Sequence, residues 1–279
     1  MITIKTYYIE KMDKHKIFGK KVEIQNDEIK VYYKIEKEKN LNKIIKKFLK
    51  LEINNVILDK TLWKSEKLIN LLYANNINLI DGKWLKKYMT IDILNFVITQ
   101  KNIRKEETEI AITVNEITEL SIEIIKILSK QYKKLVVITN HIEKLRKIEK
   151  GIFEKEGILI VVSNNKNKSL LKSQIIINID FNKELINQYQ IYDEAIIINI
   201  EEKIKIDSIR FNGIIINDFD VETGRIETIW RTNYEKYRVN DLLEANLYVR
   251  DTYKNIRKKI QKCNISIKNL YGLNGIIKL

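Results

Sequence analysis

Five short runs of consecutive apolar, mostly β-branched residues constrain the fold of this chain more than any other feature. They are Glu109–Val114, Lys134–Thr139, Ile158–Ser163, Ile175–Ile179 and Ala195–Ile200. Such runs are typical of strands that are covered on both faces. Amphipathic helices are expected between them, over 116–131, 141–156, 168–173 and 183–189. Alternation of strands and helices with short connections predicts a parallel, right-handed, doubly wound sheet.

The rest of the chain predicts a smaller α/β domain before this sheet and a long helix after it. Alternating strands, with a hairpin turn at Asn26-Asp27, and amphipathic helices occupy the first hundred residues. Thr61 is expected to cap one of these helices. Apolar residues at every third or fourth position predict one helix over Asn240–Lys262. We predict an N-terminal α/β domain at 1–104, a Rossmann-like domain at 105–225, and a C-terminal helical segment at 226–279 that braces the two.

Cysteine and hydropathy patterns predict a cytoplasmic protein. Cys263 is the single cysteine, so no internal disulfide can form, as is typical of a reducing compartment. No stretch approaches the roughly 18 consecutive apolar residues of a membrane helix. Residues 1–5 alternate like a strand and lack the apolar segment of a signal peptide. His15 and His141 are the two histidines and lie far apart in sequence, so we expect no histidine-based metal site.

The formal net charge of +14 favours an anionic partner such as nucleic acid. Lys43–Lys50 and Arg257–Lys262 would each place a basic stripe on a helix. However, isoleucine, lysine and asparagine are all abundant and proline is absent. This bias indicates an A/T-rich genome, which accounts for much of the lysine. No recognised nucleic-acid motif is present, so the sequence leaves such a partner open but does not predict one.

Polar residues follow the predicted strands at the edge where a ligand would bind. In an open doubly wound sheet, ligands bind beyond the carboxyl ends of the strands. Asn140 is also expected to cap the second helix of the sheet, with Glu143 three residues on, and Gly157 to end that helix in a left-handed conformation. The candidate residues of a small-molecule site are Asn115, Asn140, His141, Lys144, Asn164 and Asp180.

The sequence around the second strand also resembles a known class of domain. The stretch from Val136 to Leu145, with sequence VVITNHIEKL, resembles the end of the second strand in shikimate-dehydrogenase-like and glutamyl-tRNA-reductase-like Rossmann domains. Those families place an Asn-Arg-Thr-x-x-Lys stretch there, which receives the ribose phosphate of NADP. Asn140 matches it, His141 stands where the arginine would be, and Lys144 lies one residue before the position of the lysine. The resemblance covers about residues 108–200 and implies NAD(P) as cofactor and an oxidoreductase activity.

The first strand–helix turn departs from that pattern. A dinucleotide fold needs glycines there, so that the backbone can approach the pyrophosphate. The turn here runs from Val114 to Glu119 without glycine, and Glu116 would repel a phosphate. Two functions therefore stay open. One is a Rossmann-like protein with a ligand cleft, diverged from NAD(P)-binding oxidoreductases. The other is a non-catalytic binding or scaffold protein with a basic surface for anionic partners.

Overall fold

The computed structural model describes residues 7–11, 21–25, 28–33, 41–224, 234–247 and 251–279. The chain divides into two compact units. Unit 1 comprises residues 1–85, 223–251 and 259–264, and unit 2 comprises residues 86–222, 252–258 and 265–279. The division into three domains, at 1–104, 105–225 and 226–279, stays a prediction. No helix in the described ranges combines the length and the apolar character that crossing a membrane requires.

Unit 1 is built on a five-stranded sheet with the order β2-β3-β1-β4-β5. Its strands are β1 (Tyr7–Lys11), β2 (Lys21–Gln25), β3 (Glu28–Tyr33), β4 (Asn55–Leu58) and β5 (Asn78–Leu79). β2 and β3 pair antiparallel, as the predicted hairpin requires, and the other neighbours are parallel. The predicted turn residues Asn26 and Asp27 lie outside the described residues.

The helices of unit 1 bury one face against this sheet. They include α1 (Leu41–Lys50), α2 (Glu66–Ala74) and the start of α3 (Lys83–Tyr88). Phe48 of α1 and Leu72 of α2 are fully buried in one apolar cluster. The prediction that Thr61 caps a helix is wrong. The Asp59 carboxylate accepts the N–H groups of Thr61 and Leu62 in the turn that follows β4. The Ser65 hydroxyl caps α2 by accepting the Leu68 N–H at 3.4 Å. A carboxylate directly after β4 satisfies this turn better than a threonine inside it.

Unit 2 is built on a six-stranded, wholly parallel sheet. Its strands are β6 (Glu109–Thr113), β7 (Lys134–Ile138), β8 (Val161–Ser163), β9 (Ile175–Asn178), β10 (Ile196–Asn199) and β11 (Ile214–Ile216). The order is β8-β7-β6-β9-β10-β11, which is the doubly wound Rossmann order. The five apolar runs are its first five strands, so the predicted fold class is confirmed. The sequence analysis missed β11, because no helix precedes it.

The helices of unit 2 match the prediction except in one segment. They are the end of α3, then α4 (Thr90–Lys101), α5 (Glu119–Gln131), α6 (Ile142–Glu156) and α7 (Lys183–Ile186). Gly157 ends α6 with φ 69°, as expected. The helix predicted over 168–173 is absent from this described stretch. The Leu170 carbonyl instead accepts the Tyr192 N–H at 3.1 Å, which draws the segment into an extended bridge with Ile191.

The single long helix predicted over Asn240–Lys262 is wrong, since two helices occupy this region. They are α8 (Val239–Leu247) and α9 (Tyr253–Lys262), and residues 248–250 between them are not described. Thr252 starts the second helix, because its hydroxyl accepts the Asn255 N–H at 3.4 Å and its carbonyl accepts the Ile256 N–H at 3.1 Å. A further pair of strands is formed by β12 (Asp218–Thr223) and β13 (Ile265–Tyr271).

Helix α8 carries two buried carboxyl groups into unit 1. Asp241 is fully buried and accepts two hydrogen bonds from the Arg238 guanidinium, at 2.7 and 2.8 Å. The guanidinium lies 3.8 Å from the ring centroid of Trp63. Glu244, 4% exposed, accepts the Leu85 N–H at 3.1 Å. α8 is therefore joined to the start of α3 through a carboxyl group, while its Leu242 packs in an apolar cluster with Ile57 and Ile80.

Candidate functional site

The carboxyl ends of the six parallel strands of unit 2 form one edge of the sheet. From β6 the chain proceeds to β7 and β8 on one side, and then crosses over to β9, β10 and β11 on the other. The strand order therefore reverses between β6 and β9. In this class of sheet, ligands bind in the crevice outside the carboxyl ends of the two strands at such a switch point. The residues that follow β6 and β9 are consequently the first candidates for a site.

Asp180, after β9, is hydrogen-bonded to the turn that follows β6. Its carboxylate accepts the Asn115 N–H at 2.7 and 3.0 Å and the Glu116 N–H at 2.5 Å. Backbone N–H groups at this turn are the donors that hold a phosphate in a dinucleotide-binding sheet. In this chain, a side chain of the protein itself occupies them.

The surroundings of Asp180 disfavour its charged form. Burial raises the pKa of the carboxyl above its ordinary value, and the negative charges of Glu201 and Glu116 raise it further. The hydrogen bonds from the Glu116 and Asn115 backbone act in the opposite direction on this pKa. Glu201 forms an ion pair with Lys87. This part of the edge is thus rich in carboxylates, and an added phosphate would meet negative charge.

Asn115 connects the turns after β6 and β7. Its side-chain oxygen accepts the Asn140 N–H at 3.1 Å, while its own N–H donates to Asp180. The structure therefore brings three of the predicted site residues, Asn115, Asn140 and Asp180, into one hydrogen-bonded group. Asn140 itself is exposed.

The structure places His141 and Lys144 at the start of α6, beside that group. Both are exposed, and His141 is the residue at which the helix begins. The His141 N–H donates to the Thr139 hydroxyl at 3.0 Å. The prediction that Asn140 caps α6 is wrong, because α6 starts one residue later and no side chain caps it. Glu143 pairs instead with Arg146 at 3.1 Å.

Asn164 follows β8 and is exposed at the same edge. β7 separates β8 from β6 in the sheet. In the described part of the chain, no hydrogen bond joins the Asn164 side chain to Asn115, Asn140 or Asp180. Among the same residues, no group of three histidine, cysteine, aspartate or glutamate side chains could hold a metal ion.

Sequence reasoning missed a chain of buried amides beneath this edge. The Thr113 hydroxyl donates to Asn178 Oδ1 at 2.6 Å, Asn178 Nδ2 donates to Asn199 Oδ1 at 3.0 Å, and Asn199 Nδ2 donates to Asn217 Oδ1 at 2.8 Å. All four residues are at most 2% exposed. We call this chain the amide ladder. It crosses β6, β9, β10 and the end of β11 in one direction.

Two members of the ladder, Asn178 and Asn217, also hydrogen-bond to neighbouring loops. Asn178 donates to the Phe181 carbonyl at 2.9 Å and accepts the Phe181 N–H at 3.1 Å, which orders the turn that carries Asp180. Asn217 likewise accepts the Ile204 N–H at 2.9 Å. A signal for the ladder was present in the sequence: Ile-Ile-Ile-Asn occurs three times, ending at Asn178, Asn199 and Asn217.

Strand order, switch point and parallel pairing define unit 2 as a Rossmann-type unit. No protein-family model matches the chain. No curated protein matches it in sequence. Solved structures do match in fold. A shikimate 5-dehydrogenase-like protein is 9% identical with a TM-score of 0.31, and the match covers 94% of this chain and 99% of that one.

Two further neighbours match the chain over a similar length. Shikimate dehydrogenase from Aquifex aeolicus is 15% identical with a TM-score of 0.30, over 94% of this chain and 99% of that one. The ligand-free 5-ketofructose reductase of a Gluconobacter species is 9% identical with a TM-score of 0.36, over 93% and 98%. The neighbours include shikimate-dehydrogenase-like proteins, one of the two classes that residues 108–200 resemble. At these TM-scores the likenesses carry no argument about activity.

Proposed function

We propose that the protein is a diverged relative of NAD(P)-binding oxidoreductases whose cleft binds a small polar ligand and does not hold a dinucleotide pyrophosphate in the usual position. The hydrogen bonds from the Asn115 and Glu116 N–H groups to the Asp180 carboxylate carry this proposal. The proposed site consists of Asn115, Asn140, His141, Lys144, Asn164 and Asp180.

The turn after β6 supports the proposal in two further ways. It contains no glycine, so side chains stand where a pyrophosphate would approach the backbone. The start of α5 is already capped: the Thr118 hydroxyl accepts the Ser121 N–H at 3.2 Å, and Ser121 Oγ accepts the Thr118 N–H at 2.8 Å. The donors that an anion would use are therefore taken by Asp180 and by this capping box.

The residues that follow β7 are accessible to a ligand. Asn140, His141 and Lys144 are exposed at the end of β7, where Rossmann-type proteins hold the ribose of a nucleotide. Lys144 supplies a positive charge there, and the neighbouring Glu143 is paired with Arg146. A small ligand with a phosphate or hydroxyl groups fits this region, with Asp180 accepting a hydrogen bond from its other end.

The decisive experiment measures NADPH binding by calorimetry before and after Asp180→Ala. The substitution removes the acceptor and frees the Asn115 and Glu116 N–H groups for a phosphate. We expect the affinity for NADPH to rise about tenfold or more, which corresponds to about 1.4 kcal/mol per decade. Asp193→Ala is the matched control, because Asp193 is an exposed aspartate before β10, at the opposite edge of the sheet.

Two results would contradict the proposal. Micromolar binding of NADPH by the unaltered protein, unchanged in Asp180→Ala, would mean that a pyrophosphate is accommodated despite Asp180. Equal gains in Asp180→Ala and Asp193→Ala would mean that only the net charge matters. A thermal-shift screen of small polar ligands distinguishes a ligand-binding protein from the alternative, a non-catalytic scaffold. A ligand at 100 times its Kd stabilises a fold by about 2.7 kcal/mol, whereas a scaffold without a working cleft shows no shift.

A further inference from the structure

Lysines are the only charged residues of α1, and they lie on its outward face. Lys43, Lys46, Lys47 and Lys50 are all exposed, and the helix sequence LNKIIKKFLK contains no acidic residue. None of these four lysines forms an ion pair with a described residue, whereas Lys83 pairs with Asp81 and Lys259 pairs with Asp251. We call them the α1 lysine face. Its charge is not neutralised by carboxylates of its own helix.

Other basic helices of the chain do carry acidic neighbours. In α6, Lys150 lies 3.7 Å from Glu154, and Arg146 lies 3.1 Å from Glu143. In α9, Arg257 is paired with Asp92. A general excess of lysine explains the lysines of all three helices, because it acts on the whole chain. It does not explain why none of the four α1 lysines has an ion-pair partner among the described residues, whereas α6 and α9 have two ion pairs each.

The spacing of the α1 lysine face suits a row of phosphates. Residues at i, i+3, i+4 and i+7 lie on one side of a helix, and seven residues span about 10 Å at about 1.5 Å each. The phosphates of one strand of duplex DNA follow one another every 3.4 Å or so along its axis. The face therefore extends along about three phosphates. Lysine presents a flexible point charge, which holds a phosphate without reading a base.

The opposite side of α1 argues against a lipid surface. A helix that lies on a membrane inserts its apolar side into the lipid. In α1 that side consists of Leu41, Ile44, Ile45 and Phe48, each at most 6% exposed and packed in the core of unit 1. Two leucines near the end of the helix, Leu49 and Leu51, are exposed. The test must therefore distinguish binding to a nucleic acid from binding to an anionic membrane.

We propose that the α1 lysine face binds the phosphate backbone of a nucleic acid without sequence preference. The test is fluorescence anisotropy with a short labelled DNA duplex and a single-stranded RNA, between about 50 and 200 mM KCl. The variant combines Lys43→Gln, Lys47→Gln and Lys50→Gln. We expect its affinity for the duplex to fall about tenfold or more at low salt. The slope of log affinity against log salt should shrink by about 2.7, since each lost phosphate contact contributes about 0.9.

The matched control removes the same charge from α6 by combining Lys147→Gln, Lys150→Gln and Lys155→Gln, all at exposed positions. We expect its affinity and slope to stay within about twofold of those of the unaltered protein. Arginine at positions 43, 47 and 50 should restore binding. Circular dichroism melts show whether each variant is folded. Equal losses in both triple variants, absence of binding to either nucleic acid, or α1-dependent binding to phosphatidylserine vesicles alone would each overturn the proposal.

Discussion

Asp241 and Glu244 face the interior of unit 1 from one side of α8, and burial sets their protonation. Burial raises the pKa of Glu244 to about 8, with the Leu85 N–H acting against it and the charges of Asp81 and Asp241 adding to it. Burial also raises the pKa of Asp241 to about 6, although the Arg238 guanidinium opposes the shift. Near neutral pH, Asp241 is therefore ionised and paired with Arg238, while Glu244 keeps its proton.

Glu244→Gln should remove a pH dependence of stability. The unfolded carboxyl ionises near 4.5 and the folded one near 8, so the folded state binds more protons between these values. The stability of the unaltered protein consequently falls as pH rises through this window. From about pH 7 to 8, above the pKa of Asp241, Glu244 contributes a slope of up to about 1.4 kcal/mol per pH unit. Urea unfolding of Glu244→Gln should lack this slope, because glutamine imitates the protonated acid.

The control for this prediction is Glu202→Gln, at an exposed position in unit 2. It should leave the slope as it is in the unaltered protein. A slope that persists in Glu244→Gln would assign the pH dependence to another group.

Periodicity predicted the elements of unit 2 well, and cap chemistry was predicted less well. A strand that is buried on both faces has no polar alternation, and this property can be read from a few neighbouring residues. A helix start depends instead on which of several adjacent polar side chains reaches a free N–H group. Asn140 and Thr61 were reasonable candidates, but Asp59 and Ser65 cap in unit 1 and α6 begins uncapped at His141.

Thr118→Ala should cost more stability than Asn140→Ala. The Thr118 hydroxyl accepts the Ser121 N–H in a capping box, and its loss costs about 1 kcal/mol in such positions. The Asn140 side chain caps nothing, and the Asn140 N–H that donates to Asn115 belongs to the backbone and survives the substitution. We expect Asn140→Ala to change the free energy of unfolding by less than about 0.5 kcal/mol. Urea titrations measure both, and equal costs would contradict the placement of the cap.

At the scale of the whole molecule, the sequence predicted the fold class and the polar residues at the carboxyl edge of the unit 2 sheet. It did not predict the hydrogen bonds between these residues. Asn115, Asn140 and Asp180 were expected near each other from strand order alone, and the structure joins them. Which atom binds which depends on loop conformations that short-range patterns do not determine. The break at Thr252 and the strand β11 after an irregular loop were missed for the same reason. The amide ladder needed the register of four strands, so it followed only from the assembled sheet.

Asn199→Leu should destabilise unit 2 by about 2–4 kcal/mol. Leucine is similar in size, so the cost comes mainly from the Asn178 N–H and the Asn217 oxygen that lose a partner inside the sheet. Asn212→Leu, at an exposed position before β11, should stay within about 0.5 kcal/mol. Chemical unfolding measures both variants. A cost for Asn199→Leu as small as that of the control would mean that the buried amides are satisfied without the ladder.

All hydrogen bonds of the amide ladder run in the same donor-to-acceptor direction, and this constrains how its residues can diverge in evolution. Asn178 accepts from Thr113 and donates to Asn199, which in turn donates to Asn217, so replacing Asn199 alone leaves a polar group without this partner on both sides. Replacing interacting polar partners together by apolar groups of similar shape is far less costly than replacing one of them. We therefore expect the three Ile-Ile-Ile-Asn strand ends to be retained or replaced together, and a change of Asn199 alone to be disfavoured.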